Sequence, residues 1–515
     1  MAFDAFRDAR TIDSGAELHA DVCIAGAGAA GITLARELLR SGVRVCLLEA
    51  GGLSVEPEVN ALSVIENVGR PYRPNELRLR YFGGTTNHWG GHCVPLLPMV
   101  LNGRDWIEHS AWPFTHEQLL PYYEAAHGVL RIGPFDYSAA RAAAALNVPL
   151  LPIDGAFQTV MSRYNRLRFG LTFGEELNDA SGLQCILHAD LSAIDLASAE
   201  SEDVRSVRVG SAAGNEFAVR AQYFVIACGG IENARILLNA NHQRPAGLGN
   251  HADMAGRYFM EHVWYESGYI LPRAPLSEYA HYVREVPYGD IAARFHLALT
   301  PEAQRELQVG AFRAELLPRS AAYRESYFLR HLGPADADVS TLLSRPFEFG
   351  HALRCGENAT ADAFVLGNYV EQRPNPESRV TLSNTRDALG RPNARLDWRL
   401  MRADHDGVVW SHRALAREVG RFNVGRMHIA IKDEYEIELQ TAGGGAHHMG
   451  TTRMHENPNH GVTDPYGRVH HTENLYMAGS SLFPSCGYAN PTLTIVAMSL
   501  RLADKLKRRL RGEGR

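Results

Sequence analysis

The sequence lacks the marks of several large protein classes. Its seven cysteines, at positions 23, 46, 93, 185, 228, 355 and 486, form no CxxC pair and no CxxCH. The chain therefore carries no c-type haem, and a reducing compartment is expected. Cys23, Cys46 and Cys228 sit inside apolar runs and read as small core residues. The 23 histidines form no HExxH and no Cys/His ligand spacing, so no metal is expected. Neither a GxSxG elbow nor a P-loop is present. No apolar run reaches transmembrane length, so no membrane partner is expected. The first twenty residues show no uninterrupted apolar stretch and no twin arginine, which places the protein in the cytoplasm as an expectation. A formal net charge of -6 leaves little basic surface for phosphate, so nucleic acid is not an expected partner. The one basic run, Lys505 to Arg511, reads as the solvated end of a helix, where cations suit the dipole.

What is present begins with length. At 515 residues the chain is too long for one simple core, and two domains are expected. Val22-Cys23-Ile24-Ala25 is a continuous apolar run of the kind found in a strand buried on both faces. A glycine turn follows, then a helix with Ile32, Ala35, Leu38 and Leu39 on one face and Gly42 to end it. Val43 to Leu48 makes a second strand, closing on Glu49, and the whole is a βαβ unit. The stretch from Arg70 to Pro98, dense in glycine, aromatics and histidine, reads as loop. Between Cys185 and Cys228 several β-rich runs alternate with polar turns, and an amphipathic helix starts near Pro491. No repeat or low-complexity segment interrupts this order. The layout expected is a nucleotide domain of non-adjacent pieces with a second domain inserted.

The glycine turn has a mechanical purpose. Gly26 permits the tight bend, Gly28 lets a diphosphate approach the backbone, and Gly31 lets helix and strand pack closely. The diphosphate then meets free N–H groups at the helix start. Glu49, at the end of the second strand, is placed to accept from a ribose hydroxyl. NAD and FAD share this half of their structure, so the unit alone leaves both open.

Further segments resemble the glucose–methanol–choline oxidoreductase family, in that family's order. Gly51-Gly52 follows Glu49; Gly83-Gly84-Thr85-Thr86-Asn87-His88-Trp89 resembles the loop along the flavin; Ala227-Cys228-Gly229-Gly230 opens a second cofactor segment. Near the C-terminus come His447-His448-Met449-Gly450-Thr451-Thr452-Arg453-Met454, then Ala478-Gly479-Ser480, then Asn490-Pro491-Thr492. The middle matches loosely, around Glu371 to Val380. The resemblance implies an α/β fold: a Rossmann-like FAD-binding domain plus a substrate domain with a mainly antiparallel sheet packed by helices. The first is expected over 18–100, 155–265 and 445–515, the second over 101–154 and 266–444.

The same resemblance implies FAD, with Gly84, Asn87, His88, Trp89, Leu191, Cys228, Gly229, Gly479, Ser480, Asn490, Pro491 and Thr492 beside it. It puts the active-site histidine at His447, with His448 as its adjacent rival, and the partner at Asn490. An asparagine there is similar to the branch containing pyranose 2-oxidase, which also attaches FAD covalently through a loop histidine. His88 stands at that position and His92 is a second one. Gln372 and Arg373 are expected near the substrate. Imidazole can take a hydroxyl proton at neutral pH, and an alkoxide gives up hydride more readily than an alcohol. The asparagine amide can hold the same oxygen without acting as a second base. The N–H groups of Thr492 and Leu493, after Pro491, can stabilise charge on reduced flavin. The expected activity is oxidation of a CH–OH group in a sugar, polyol or other secondary alcohol, with oxygen or another electron acceptor. A flavin-containing lyase or decarboxylase is the alternative, and a catalytically silent flavin binder a third.

Overall fold

In a computed structural model the described residues are 5–198, 200–319, 363–429, 431 and 443–513. Their centre is a six-stranded, all-parallel sheet in the order Phe6–Asp8, Leu183–Leu187, Val45–Leu48, Val22–Ala25, Tyr223–Ile226, Leu475–Met477. Every residue of Val22–Ala25 and Val45–Leu48 is buried, as continuous apolar runs require when helices cover both sheet faces. The helix Ala29–Leu39 starts straight after Gly28 and stops three residues before Gly42. Ile32, Leu34 and Leu38 are fully buried, each contributing roughly 1.5–3 kcal/mol over exposure. The long helix Thr492–Leu510 packs against it and against His116–Leu130. The basic end of that long helix is paired: Lys507 meets Glu37 at 2.9 Å and Asp504 at 2.8 Å, and Arg509 meets Glu473 at 2.9 Å. Among the described residues no helix is long and apolar enough to cross a membrane.

A smaller four-stranded sheet runs Glu17–His19, Glu216–Arg220, Val204–Gly210, Asp190–Leu196. The second large element is a nine-stranded sheet whose main path is Gly425–Ile429, Val263–Pro272, Ala363–Val370, Phe312–Arg319, Ile291–Leu299, Phe157–Tyr164, His92–Cys93. All its pairings are antiparallel. Period-two alternation gives it two unlike faces. Met161, Phe295, Leu297, Phe312, Ala314, Leu316 and Leu366 share one core. Ser162, Tyr164, Arg294, His296, Arg313, Glu315 and Tyr369 stand on the opposite face, by register.

Phe157–Tyr164 departs from the division expected from sequence. It falls in the stretch assigned to the FAD-binding unit, yet it pairs along its whole length with Ile291–Leu299 in the antiparallel sheet. The reason is that Phe157 and Met161 project into the second core while Ser162 and Tyr164 face away, a pattern unfit for a doubly covered parallel strand. Parts of the substrate unit as expected, residues 320–362 and 432–442, lie outside the described residues.

Candidate active site

Between the parallel sheet and the polar face of the antiparallel one lies a cavity of about 590 Å3. One end is built on the glycine turn. Gly26 has φ +103°, and a Cβ there would come within 2.6 Å of the Ala227 carbonyl oxygen, so no other residue fits without shifting backbone. Gly28, Gly229 and Gly479 also line the cavity, and a Cβ on any of them would meet nothing within 4 Å. All three are places where added atoms would enter the cavity instead of the protein. Helices Ala29–Leu39 and Thr492–Leu510 both open toward this space, and neither has a side-chain cap. Their first-turn N–H groups are thus left for a ligand. Glu49 accepts from Ala27 N and Gly51 N, each at 3.0 Å, which spends one lone pair on each oxygen and leaves others for hydroxyls. Burial pushes its pKa up, while the two N–H groups and Arg80 pull it down. A dinucleotide with a diphosphate, a ribose and a flat ring system fits these residues.

Gly84, His88, Trp89, Leu191, Cys228, Ser480, Pro491 and Thr492 line the same cavity. His88 is exposed at the rim, with its Nε2 2.7 Å from the Tyr81 hydroxyl. His92 lines the cavity too, its Nδ1 3.2 Å from the Tyr164 hydroxyl. Others do not face the cavity. Gly31 packs under the turn, and Asn87 bonds backbone on both sides, donating to Phe82 O and accepting from Gly170 N at 2.8 Å each. Gln372 is wholly buried and spent on structure: its Oε1 accepts from Trp398 Nε1 at 2.9 Å and from Glu261 N at 3.1 Å. Arg373 reaches the Trp106 and Gln308 carbonyls instead of the cavity. The placement of these two beside substrate is therefore corrected.

At the far end His447 and Asn490 meet, with His447 Nε2 3.4 Å from Asn490 Nδ2. His447 Nδ1 lies 2.8 Å from His262 Nδ1, and its backbone N–H donates to both oxygens of Glu261 at 2.8 and 2.9 Å. Burial, then the charges of His262, His92 and Arg313, hold the His447 pKa well below the ordinary imidazole value. The ring is neutral at neutral pH. His448 points elsewhere, its Nε2 2.7 Å from the Tyr72 hydroxyl, and burial brings it down to about 3. Asn490 Oδ1 accepts from Arg313 Nη2 at 3.2 Å, and the guanidinium lies over the Tyr369 ring at 4.5 Å. Glu261 is buried and raised to about 7 by that burial, which the Tyr72 hydroxyl and the His447 and His262 N–H groups oppose.

Glu261, His262, Arg313 and Tyr369 carry no spacing signal in the sequence. They reach the site from strands or strand ends distant in the chain; Glu261, His262 and Arg313 are buried polar residues beside apolar ones, and Tyr369 is half-buried.

Comparison with known proteins agrees with this construction. A family profile described as GMC oxidoreductase matches residues 374–499, and one described as FAD binding domain matches 19–56. The chain is 23% identical to 2-methyl-1,2-propanediol dehydrogenase of Mycolicibacterium austroafricanum, covering 95% of each chain. It is 23% identical to 6'''-hydroxyparomomycin C oxidase of Streptomyces lividus, over 93% of this chain and 90% of that one. The fold is that of pyridoxine 4-oxidase from Mesorbium loti, at a TM-score of 0.60, 16% identity, and coverage of 94% and 99%. With the turn, the cavity and both ends of the sequence in agreement, this chain carries a GMC oxidoreductase domain over 374–499 and an FAD-binding domain over 19–56, and is an FAD-dependent oxidoreductase.

Proposed function

We propose that this flavoenzyme oxidises a CH–OH group of a sugar, polyol or other secondary alcohol to a carbonyl. The observation that carries the proposal is the meeting of a neutral imidazole nitrogen on His447 with the Asn490 amide at one end of the cavity. His447 Nε2 takes the hydroxyl proton. The electron pair left on oxygen becomes the second bond of the carbonyl as the C–H bond breaks. FAD, when bound, supplies the acceptor for the hydride that leaves carbon. Asn490 Nδ2 donates to the substrate oxygen and holds it beside His447; the 3.4 Å gap between the two leaves each free to turn to it. The N–H groups at the start of Thr492–Leu510 offer positive potential where negative charge gathers after transfer. Gly26, Gly28, Gly229 and Gly479 would hold the diphosphate and ring system close to backbone, and Glu49 the ribose hydroxyls. Oxygen or another acceptor would take up the two electrons that the alcohol loses. The polar sheet face bearing Arg313 and Tyr369 forms the substrate side, and the parallel sheet the cofactor side.

The relatives above are named as oxidases and a dehydrogenase, and a lyase or decarboxylase reading finds no support in them. The test is the visible spectrum of purified protein, followed anaerobically with D-glucose, D-fructose, D-sorbitol and 1,2-propanediol. Flavin bands that bleach with at least one compound, and a carbonyl product, are expected. Flavin that never bleaches with any sugar or polyol would remove the proposal. Readmitting air then separates oxygen from other acceptors.

A further inference from the structure

We infer that His262 is a positioning residue that fixes which nitrogen of His447 carries the proton, through a hydrogen-bond chain able to run in one direction only. The inference rests on His447 being the base proposed above. The chain has five members. His262 Nε2 lies 2.9 Å from the Gly487 carbonyl oxygen, His262 Nδ1 2.8 Å from His447 Nδ1, His447 Nε2 3.4 Å from Asn490 Nδ2, and Asn490 Oδ1 3.2 Å from Arg313 Nη2.

Both ends of this chain are one-way groups. A carbonyl can only accept, so His262 must carry its proton on Nε2 and leave a lone pair on Nδ1. That lone pair can pair with His447 only if His447 is protonated on Nδ1. His447 Nε2 is then an acceptor facing Asn490 and the cavity. From the other end, a guanidinium can only donate, so Asn490 presents Oδ1 to Arg313 and its N–H groups to His447. The two assignments, made independently from opposite ends, agree at every link.

The ends are themselves fixed. Gly487 N donates to Glu371 Oε1 at 3.0 Å, and Glu371 is held by Arg104 at 2.5 Å, with both side chains fully buried. The carboxylate of Glu261 receives the backbone N–H of His447 and of His262 and so does not compete for the ring protons. Left alone, a neutral imidazole favours the proton on Nε2, where the reaction needs a lone pair. His262 reverses that preference.

The test uses the FAD-loaded enzyme with 15N-labelled histidine rings at pH 7.5, the His447 signals being identified by their loss in His447→Gln. A protonated Nδ1 and unprotonated Nε2 are expected in the parent. They are also expected in His262→Gln, whose amide can accept from His447 and donate to Gly487. In His262→Leu only the long 3.4 Å contact from Asn490 still favours a bare Nε2, the 2.8 Å bond at Nδ1 is lost, and the proton should move to Nε2. Flavin reduction, with each compound that bleaches the parent, should fall by roughly 10²-fold or more in His262→Leu and recover in His262→Gln. A parent His447 protonated on Nε2 overturns the inference, as does a His262→Leu variant with unchanged tautomer. The parent measurement needs no change at 262, so it decides even if His262→Leu fails to fold. Normal reduction in His447→Ala would instead overturn the base assignment and leave the tautomer result standing.

Discussion

Two adjacent imidazoles, His447 and His448, are separated in role by what each touches. His447 turns to Asn490 and His262, while His448 bonds Tyr72 and lends its carbonyl to Ser480 Oγ at 2.7 Å. His447→Ala should therefore slow flavin reduction by roughly 10²–10⁴-fold while FAD stays bound. His448→Ala should slow it far less. Anaerobic stopped-flow reduction of both variants checks this, and equal loss in the two would refute the division. The meeting of His447 and Asn490 was legible in the sequence because both lie inside short motifs whose spacing is local. Arg313 and His262 were not. Each reaches the site through strand pairing, and Phe312-Arg313-Ala314-Glu315 alternates as any two-faced strand does. Alternation tells that Arg313 leaves the core, and says nothing of what it meets. Gln372 shows the converse: a polar residue in a loosely matched segment reads as a substrate contact from sequence, yet it holds buried backbone.

The glycine turn and the helix behind it behave as one element with two kinds of glycine. At Gly26 a side chain would strike the Ala227 carbonyl and demand φ +103°; at Gly28 it would enter the cavity from an ordinary extended conformation, φ -87°. Gly26→Val should thus destabilise the fold by roughly 2–4 kcal/mol. Gly28→Val should leave the thermal midpoint of the apoprotein close to the parent and abolish FAD retention. The ratio of visible to ultraviolet absorbance and a melting curve read the two effects, and full FAD content in Gly28→Val would rule out close approach of a diphosphate there. This βαβ element was the most legible part of the fold, because continuous apolar strands and a 3.6-residue stripe are local signals. Strand Phe157–Tyr164 was less so. Its pairing with Ile291–Leu299 joins residues more than a hundred positions apart, and nothing in its own eight residues names that partner.

For the whole molecule, buried histidines set the response to acid. Burial lowers His127, His262 and His412 to about 4 and His448 to about 3. Unfolding returns each to roughly 6.5, so as pH falls below 6.5 the unfolded chain takes up protons that the folded one refuses, and stability drops. Burial raises Glu261 to about 7 and Asp404 to about 6, which works the other way between their ordinary values and these, since the folded state then holds the extra proton. His92, His296 and His447 are held down by burial as well, so the histidines outweigh the two carboxyls and acidification brings a net loss. The thermal midpoint of the holoenzyme should fall by about 2 °C or more between pH 7.5 and pH 5, and a flat or rising profile would refute this. The cavity draws its walls from Gly26 near one end of the chain and from Asn490 and Ile495 near the other, with the edge strand Leu475–Met477 between. During synthesis the ribosome releases the glycine turn first and the opposite wall more than four hundred residues later. The other five strands of the sheet can pair while the last is still unmade, and the edge strand adds beside them without parting any. FAD can be enclosed only after that addition, so cofactor loading waits on the strand Leu475–Met477 and the helix that follows it.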